Sequence, residues 1–161
     1  MSKANLLYRF LTLGTIVLTI TLLISCGKHT LYDHNVEVDE PWKSIDKAEF
    51  VINITDTINL YNVFINIRNT TDYDYSNLYL FIKTEFPNKY IAIDTTEIFL
   101  ADMHGNWLGK GFGEIKDTQV LFRKNGRFAR KGEYRISFEQ AMRNTDLYGI
   151  KSVGIRIERS N

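Results

Sequence analysis

The chain has 161 residues, 24% charged and 44% hydrophobic, with 20 Lys and Arg against 19 Asp and Glu. Its 10 Phe, 9 Tyr and 2 Trp exclude a disordered chain, and one cysteine excludes an internal disulfide or a cysteine-rich metal site. A net charge of +1 gives no overall pull toward nucleic acid or anionic lipid, and the length fits one domain.

Residues 1–25 read as a lipoprotein signal peptide. Lys3 and Arg9 are their only charges, and 15 uncharged residues rich in Leu and Ile run from Phe10 to Ile24. A membrane-spanning helix needs about 20 apolar residues, so this run is short. It ends in Leu23-Ile24-Ser25-Cys26, which fits a lipobox: Leu at −3, a small side chain at −1, then a thiol to accept a diacylglyceryl group. The other reading is a signal anchor with a chance cysteine. Cleavage before Cys26 leaves 136 residues held by acyl chains, and two or more chains make a stable anchor.

Residues 26–41 are polar and without a sustained period, and are expected to form a lipidated tether. The domain is expected over 42–161, where alternation with period two dominates. Phe50, Ile52 and Ile54 form the first strand, and Tyr61, Val63, Ile65 and Ile67 the second, which stops at the turn cluster Asn69-Thr70-Thr71-Asp72. Leu78, Leu80 and Ile82 form the third, ending at Pro87-Asn88. Tyr90, Ile91 and Ile93 form a fourth, and Ile98 to Leu100 a short fifth. Asn106 to Gly113 reads as a loop or bulged strand, with Trp107 among the glycines at 105, 109, 111 and 113. Those glycines serve either a bulge or close backbone approach by a neighbour.

Val120 and Phe122 lead into Asn125-Gly126, a two-residue hairpin signal. Tyr134, Ile136 and Phe138 alternate, one helical turn is expected from Phe138 to Arg143, and Val153, Ile155 and Ile157 make the last strand. About eight strands with at most one short helix indicate an all-β antiparallel sandwich, jelly-roll or immunoglobulin-like.

Chemistry-bearing residues are few. Asp102 and His104 stand two apart, as a metal pair or an acid/base pair would, but two ligands make no site and a turn explains them equally. Asp94, Glu97, Asp102 and Glu114 offer carboxylates that no spacing sorts into a pair. With no Gly-x-Ser-x-Gly elbow and no phosphate loop, the expectation is a non-enzyme without metal or cofactor.

Residues 116–161 hold 11 basic and 5 acidic side chains, whereas 26–115 hold 7 and 14. Arg123, Lys124, Arg127, Arg130 and Lys131 form either a patch for an acidic partner or anionic glycan, or a solvated hairpin edge. Trp42, Trp107, Tyr73, Tyr75 and Tyr79 are aromatic candidates for stacking on sugars, with core or cross-strand packing as the alternative. Trp107, Tyr73, Tyr75, Arg127 and Arg130 are the candidate interaction surface.

An ordered set of short motifs follows the lipobox: Arg68-Asn69, Tyr75-Ser76-Asn77-Leu78, Asp94-Thr95-Thr96-Glu97, Leu100-Ala101-Asp102, Gly105-Asn106-Trp107-Leu108-Gly109, Gly132-Glu133-Tyr134, Gln140-Ala141-Met142-Arg143, Gly149-Ile150 and Val153-Gly154-Ile155-Arg156. The whole mature chain thereby resembles the gliding-motility lipoprotein family GldH of the Bacteroidetes. The resemblance implies a non-catalytic, lipid-anchored envelope component of gliding and of the linked type IX secretion machinery. It implies other envelope or gliding lipoproteins as partners, the outer membrane as the anchoring site, and a domain in the periplasm. Only Cys26 carries over as a functional position. Asp56-Thr57-Ile58 and, loosely, Asp94-Thr95-Thr96 resemble that phylum's O-glycosylation acceptor at Thr57 and Thr95.

Overall fold

The computed structural model describes residues 30–160. The leader and Cys26 lie outside them. The strands are β1 (Thr30–Glu37), β2 (Trp42–Lys43), β3 (Ala48–Ile54), β4 (Tyr61–Thr70), β5 (Asn77–Glu85), β6 (Ile91–Phe99), β7 (Ile115–Gly126), β8 (Gly132–Gln140), β9 (Asp146–Leu147) and β10 (Ile150–Arg159). They form two four-stranded antiparallel sheets, ordered β1-β10-β4-β7 and β3-β8-β5-β6, with β2 and β9 as a small ribbon. The fold is thus an all-β antiparallel sandwich with no helix among the described residues.

Alternation builds the core. In β3, Ala48, Phe50, Ile52 and Ile54 are buried and the residues between them exposed, because successive side chains point to opposite faces. β5 sends in Leu78, Leu80 and Ile82. β10 differs: seven of its ten residues are buried, Ser152 and Glu158 among them, because it is an interior strand of its sheet, between β1 and β4. Phe50 and Phe138 meet with ring centroids 5.0 Å apart, an arrangement that favours tilted aromatic pairs.

Four expectations are corrected. From Thr30 the expected tether is strand β1, paired along its length with β10. His34 hid the period: it occupies the inward series with Tyr32 and Val36, and its ring packs edge-on to Phe50 at 6.4 Å. The expected helical turn from Phe138 is the end of β8 followed by a turn. Gln140 closes that turn: its Nε2 donates to the carbonyls of Asn144 (2.9 Å) and Thr145 (3.1 Å), while its Oε1 accepts the Met142 N–H (2.9 Å). Asn125-Gly126 makes no hairpin. Only Asn125 has positive φ (53°), and the next connection carries the chain from β7 in one sheet to β8 in the other. The expected fourth and fifth strands are one strand, β6.

Register fixes what lies at each end. Thr30 pairs with Glu158, Asn62 with Glu158, and Tyr61 with Gly126, so these residues share one end with connections 55–60, 86–90 and 127–131. The opposite end holds connections 38–47, 71–76, 100–114 and 141–149. Along a ten-residue strand the ends stand roughly 30 Å apart. The far-end connections carry eight acidic and four basic residues; those at the Thr30 end carry four basic residues and one acidic. The near-zero net charge of the chain hides this polarity.

Candidate interaction surface

The two outer faces differ in kind. On the β1-β10-β4-β7 sheet, polar groups satisfy one another. The Arg68 guanidinium donates to both Asp117 carboxylate oxygens at 2.7 and 3.1 Å, and Arg156 pairs with Asp33 at 2.6 Å. A row of amides crosses the sheet, with Asn66 Nδ2 donating to Asn35 Oδ1 (3.1 Å) and Gln119 Nε2 to Asn66 Oδ1 (2.8 Å).

The β3-β8-β5-β6 sheet is apolar along its outer edge. Tyr79 and Phe81 on β5, with Ile91, Ile93 and Phe99 on β6, lie on its solvent side. Ile93 is 69% exposed and Phe99 58%. Register sets Phe81 opposite Thr95 and Lys83 opposite Ile93, so Phe81 and Ile93 are diagonal neighbours within reach of one stripe. β6 is also an edge strand, and among the described residues no strand pairs with its outer side. An edge of this length with an apolar face is a template for another chain.

The inner side of the same flank is open as well. Packing of β1 on β3 closes the opposite flank. Between β6 and β7 there is instead a cavity of about 340 Å³ with walls of Ala92, Phe122, Phe128, Tyr134 and Ile136. Its size falls in the range of small-ligand pockets. Arg123, Lys124 and Arg127 stand on its rim, and Arg123 Nη2 reaches Asp94 Oδ1 across it at 3.2 Å.

The expected surface residues divide. Tyr73 is 4% exposed and belongs to the core, which corrects its reading as a surface residue, and Trp42, 1% exposed, takes the core alternative. Trp42 Nε1 donates to the Asp46 carbonyl at 3.0 Å, and the Tyr73 hydroxyl to the Asn77 carbonyl at 2.9 Å. Burial pushes the Tyr73 phenol well above its ordinary pKa. Tyr75 is half-buried, edge-on to Tyr73 at 5.6 Å, and lines a hollow with Tyr79, Met142 and Arg143. Trp107 is half-buried against the core and bridges back to Ala101. Arg127 and Arg130 are exposed on the connection from β7 to β8.

The glycine loop folds on itself. Lys110 and Asp117 exchange backbone hydrogen bonds of 2.9 and 2.7 Å, and a Cβ on Gly109 would lie 2.6 Å from Thr118 Oγ1. Gly109 therefore serves an internal close approach, not a neighbour's. Asp102 caps the preceding turn: Oδ1 accepts the N–H groups of His104 (2.8 Å) and Asn106 (2.9 Å), and Oδ2 accepts Asn106 Nδ2 (3.0 Å). These bonds, that from the Asn106 side chain foremost, hold its carboxyl below the usual range, which explains the Asp-x-His spacing without a metal. Thr95 is exposed on β6, and Thr57 is half-buried in the turn that Asp56 closes. Period two marks this stretch only as two short strands, and the apolar Ile91, Ile93 and Phe99 at the ends of β6 are the available signal.

Comparison with known proteins gives one consistent match. The family model described as GldH lipoprotein matches residues 30–157, from the first residue of β1 into β10. A gliding motility lipoprotein GldH homolog from Christiangramia forsetii is 38% identical over 152 residues, covering 90% of this chain and 93% of that protein. Gliding motility lipoprotein GldH from Flavobacterium johnsoniae is 31% identical over 155 residues, covering 92% of this chain and 96% of that protein. Among solved structures, dimeric latent PorU from Porphyromonas gingivalis matches at a TM-score of 0.34 and 10% identity, over 84% of this chain and 14% of that one. That likeness is too slight to bear on the fold.

Proposed function

The chain belongs to the GldH family of gliding-motility lipoproteins, and from that premise we propose that it is a lipid-anchored interaction module of the cell envelope, without chemistry of its own. In this reading Cys26 carries the acyl chains, the anchoring membrane is the outer one, and the sandwich stands in the periplasm. There it joins other envelope lipoproteins in the gliding machinery and the type IX secretion linked to it. The observation that carries the reading is the β6 flank, where a free strand edge and exposed Phe81, Ile93 and Phe99 coincide. The outer face of the other sheet pairs Asn35, Asn66, Arg68, Asp117 and Gln119 among themselves and exposes Leu121 alone among its large apolar residues, so it offers a partner less.

A photo-crosslinking residue at position 93, used in intact cells, is expected to trap an envelope protein. Ile93→Lys is expected to abolish gliding and the same complex trapped from position 99, with thermal unfolding unchanged. Full gliding and undiminished capture with Ile93→Lys would refute the flank as the docking surface.

A second reading, a carbohydrate-binding lipoprotein, draws support from the hollow lined by Tyr75, Tyr79 and Arg143, which sets two aromatic rings beside a guanidinium. Binding on a glycan array that Tyr79→Ala removes would favour it over the scaffold.

A further inference from the structure

We propose that the Thr30 end of the sandwich is a membrane-docking base, seated on the anionic phospholipid headgroups of the bilayer that holds the anchor. The inference rests on acylation at Cys26 and goes beyond it, from attachment to orientation. Three residues separate Cys26 from Thr30. Four Cα steps extend to at most about 14 Å, so the end that carries Thr30 lies close to the headgroups. This distance compares with a Debye length of about 8–10 Å at physiological salt.

That end has the chemistry of a membrane-binding surface. Arg127, Arg130 and Lys131 are exposed within one five-residue connection, and among the described residues none of them forms an ion pair. Beside them, two connections end in exposed apolar side chains, Ile58 (79%) and Tyr90 (63%). Basic groups with an apolar side chain between them bind an anionic interface through charge and partial insertion together, and Tyr favours the headgroup level. Tipping the molecule over would bring the acidic far end within a Debye length of the same surface, where it is repelled. Both contributions set the molecule upright.

The tryptophans make the test simple, since Trp42 and Trp107 sit at or near the far end. The full acylated chain with Tyr90→Trp would be placed in vesicles of phosphatidylcholine, with or without phosphatidylglycerol, carrying brominated acyl chains that quench indole fluorescence. Quenching of the new indole is expected only with phosphatidylglycerol. It should be lost with Arg127→Glu, Arg130→Glu and Lys131→Glu together, or at about 1 M salt, where the Debye length shrinks to about 3 Å. Ile58→Trp should behave alike, which guards against a local effect at position 90.

Vesicle flotation and the intact mass report the anchor separately. An acylated, floating protein whose indole is not quenched would overturn the docked base and leave the anchor standing. Quenching that survives charge reversal and salt would overturn the electrostatic seat. A chain without acyl mass that fails to float would remove both.

Discussion

Asn35 and Asn66 are hydrogen-bonded to each other across an intervening strand: Asn66 Nδ2 donates to Asn35 Oδ1 at 3.1 Å over the backbone of Gly154. Asn35 lies on β1, Gly154 on β10 and Asn66 on β4, in one row of the sheet. Only a residue without a side chain leaves room, because a Cβ at 154 would stand 1.8 Å from Asn35 Oδ1 and 2.7 Å from the His34 carbonyl.

Gly154→Ala is therefore expected to destabilise the protein by about 1–3 kcal/mol, the usual cost of overpacking. The amide of Asn35 can swing away, but the His34 carbonyl is backbone, so β1 must shift. Denaturant unfolding measures the loss, and hydrogen exchange should show β1 as the strand that opens. A variant as stable as the parent would show that β1 is not fixed at this row.

Gly149→Ala should also destabilise, by about 1 kcal/mol or more, through backbone conformation and space together. Gly149 has φ +84°, and a Cβ there would lie 2.9 Å from the Tyr73 Cα. Gly126→Ala is the control, since its nearest neighbour would be the Tyr61 carbonyl at 3.7 Å and its φ is not positive. Equal melting temperatures for the two variants would contradict the assignment.

Trp42→Ala is expected to cost about 3–5 kcal/mol, as for other buried aromatics. Its side chain is 1% exposed and its strand, β2, pairs with β9, so the ribbon lies over the core with Trp42 inside it. Little loss of stability on thermal unfolding would return Trp42 to the surface.

Asp56 predicts an acid-sensitive step. Its carboxylate accepts from the Asn59 side chain, the Ile58 N–H (2.8 Å) and the Tyr61 hydroxyl (2.8 Å), which holds its pKa far below the ordinary 3.8. A folded value below the unfolded one contributes stability above pH 3.8 that is lost as pH falls through the folded value. Asp56→Asn should lower the melting temperature at pH 7 and narrow its gap to the parent in strong acid. A gap independent of pH would show that the charge is not what holds the turn.

Much of this fold was legible because burial follows period two. Phe50, Ile52 and Ile54 announce β3, and Leu78, Leu80 and Ile82 announce β5, from alternation alone. β1 was concealed because His34 stands in its inward series, and a polar ring that packs on Phe50 looks in sequence like a loop residue. Asn125-Gly126 misled because a local turn signal says nothing about which sheet the next strand joins. The turn after Gln140 reads as helix in the sequence because its bonds come from a side chain, which propensity does not register. The surface was harder still. Tyr73 and Tyr75 are two apart beside a turn, yet one is core and the other lines a hollow. The basic residues and the tips Ile58 and Tyr90 are far apart in sequence, and only register brings them to one end.

The direction of β6 has a consequence for crowding. With the Thr30 end down, β6 rises away from the bilayer from Ile91 to Phe99 in every copy. Two neighbours planted on the same lipid sheet thus present rails that run the same way, and antiparallel sharing of those rails between siblings is barred by geometry. An antiparallel guest must instead descend toward the lipid, so a common floor leaves siblings only the weaker parallel ladder and keeps the antiparallel berth for a stranger.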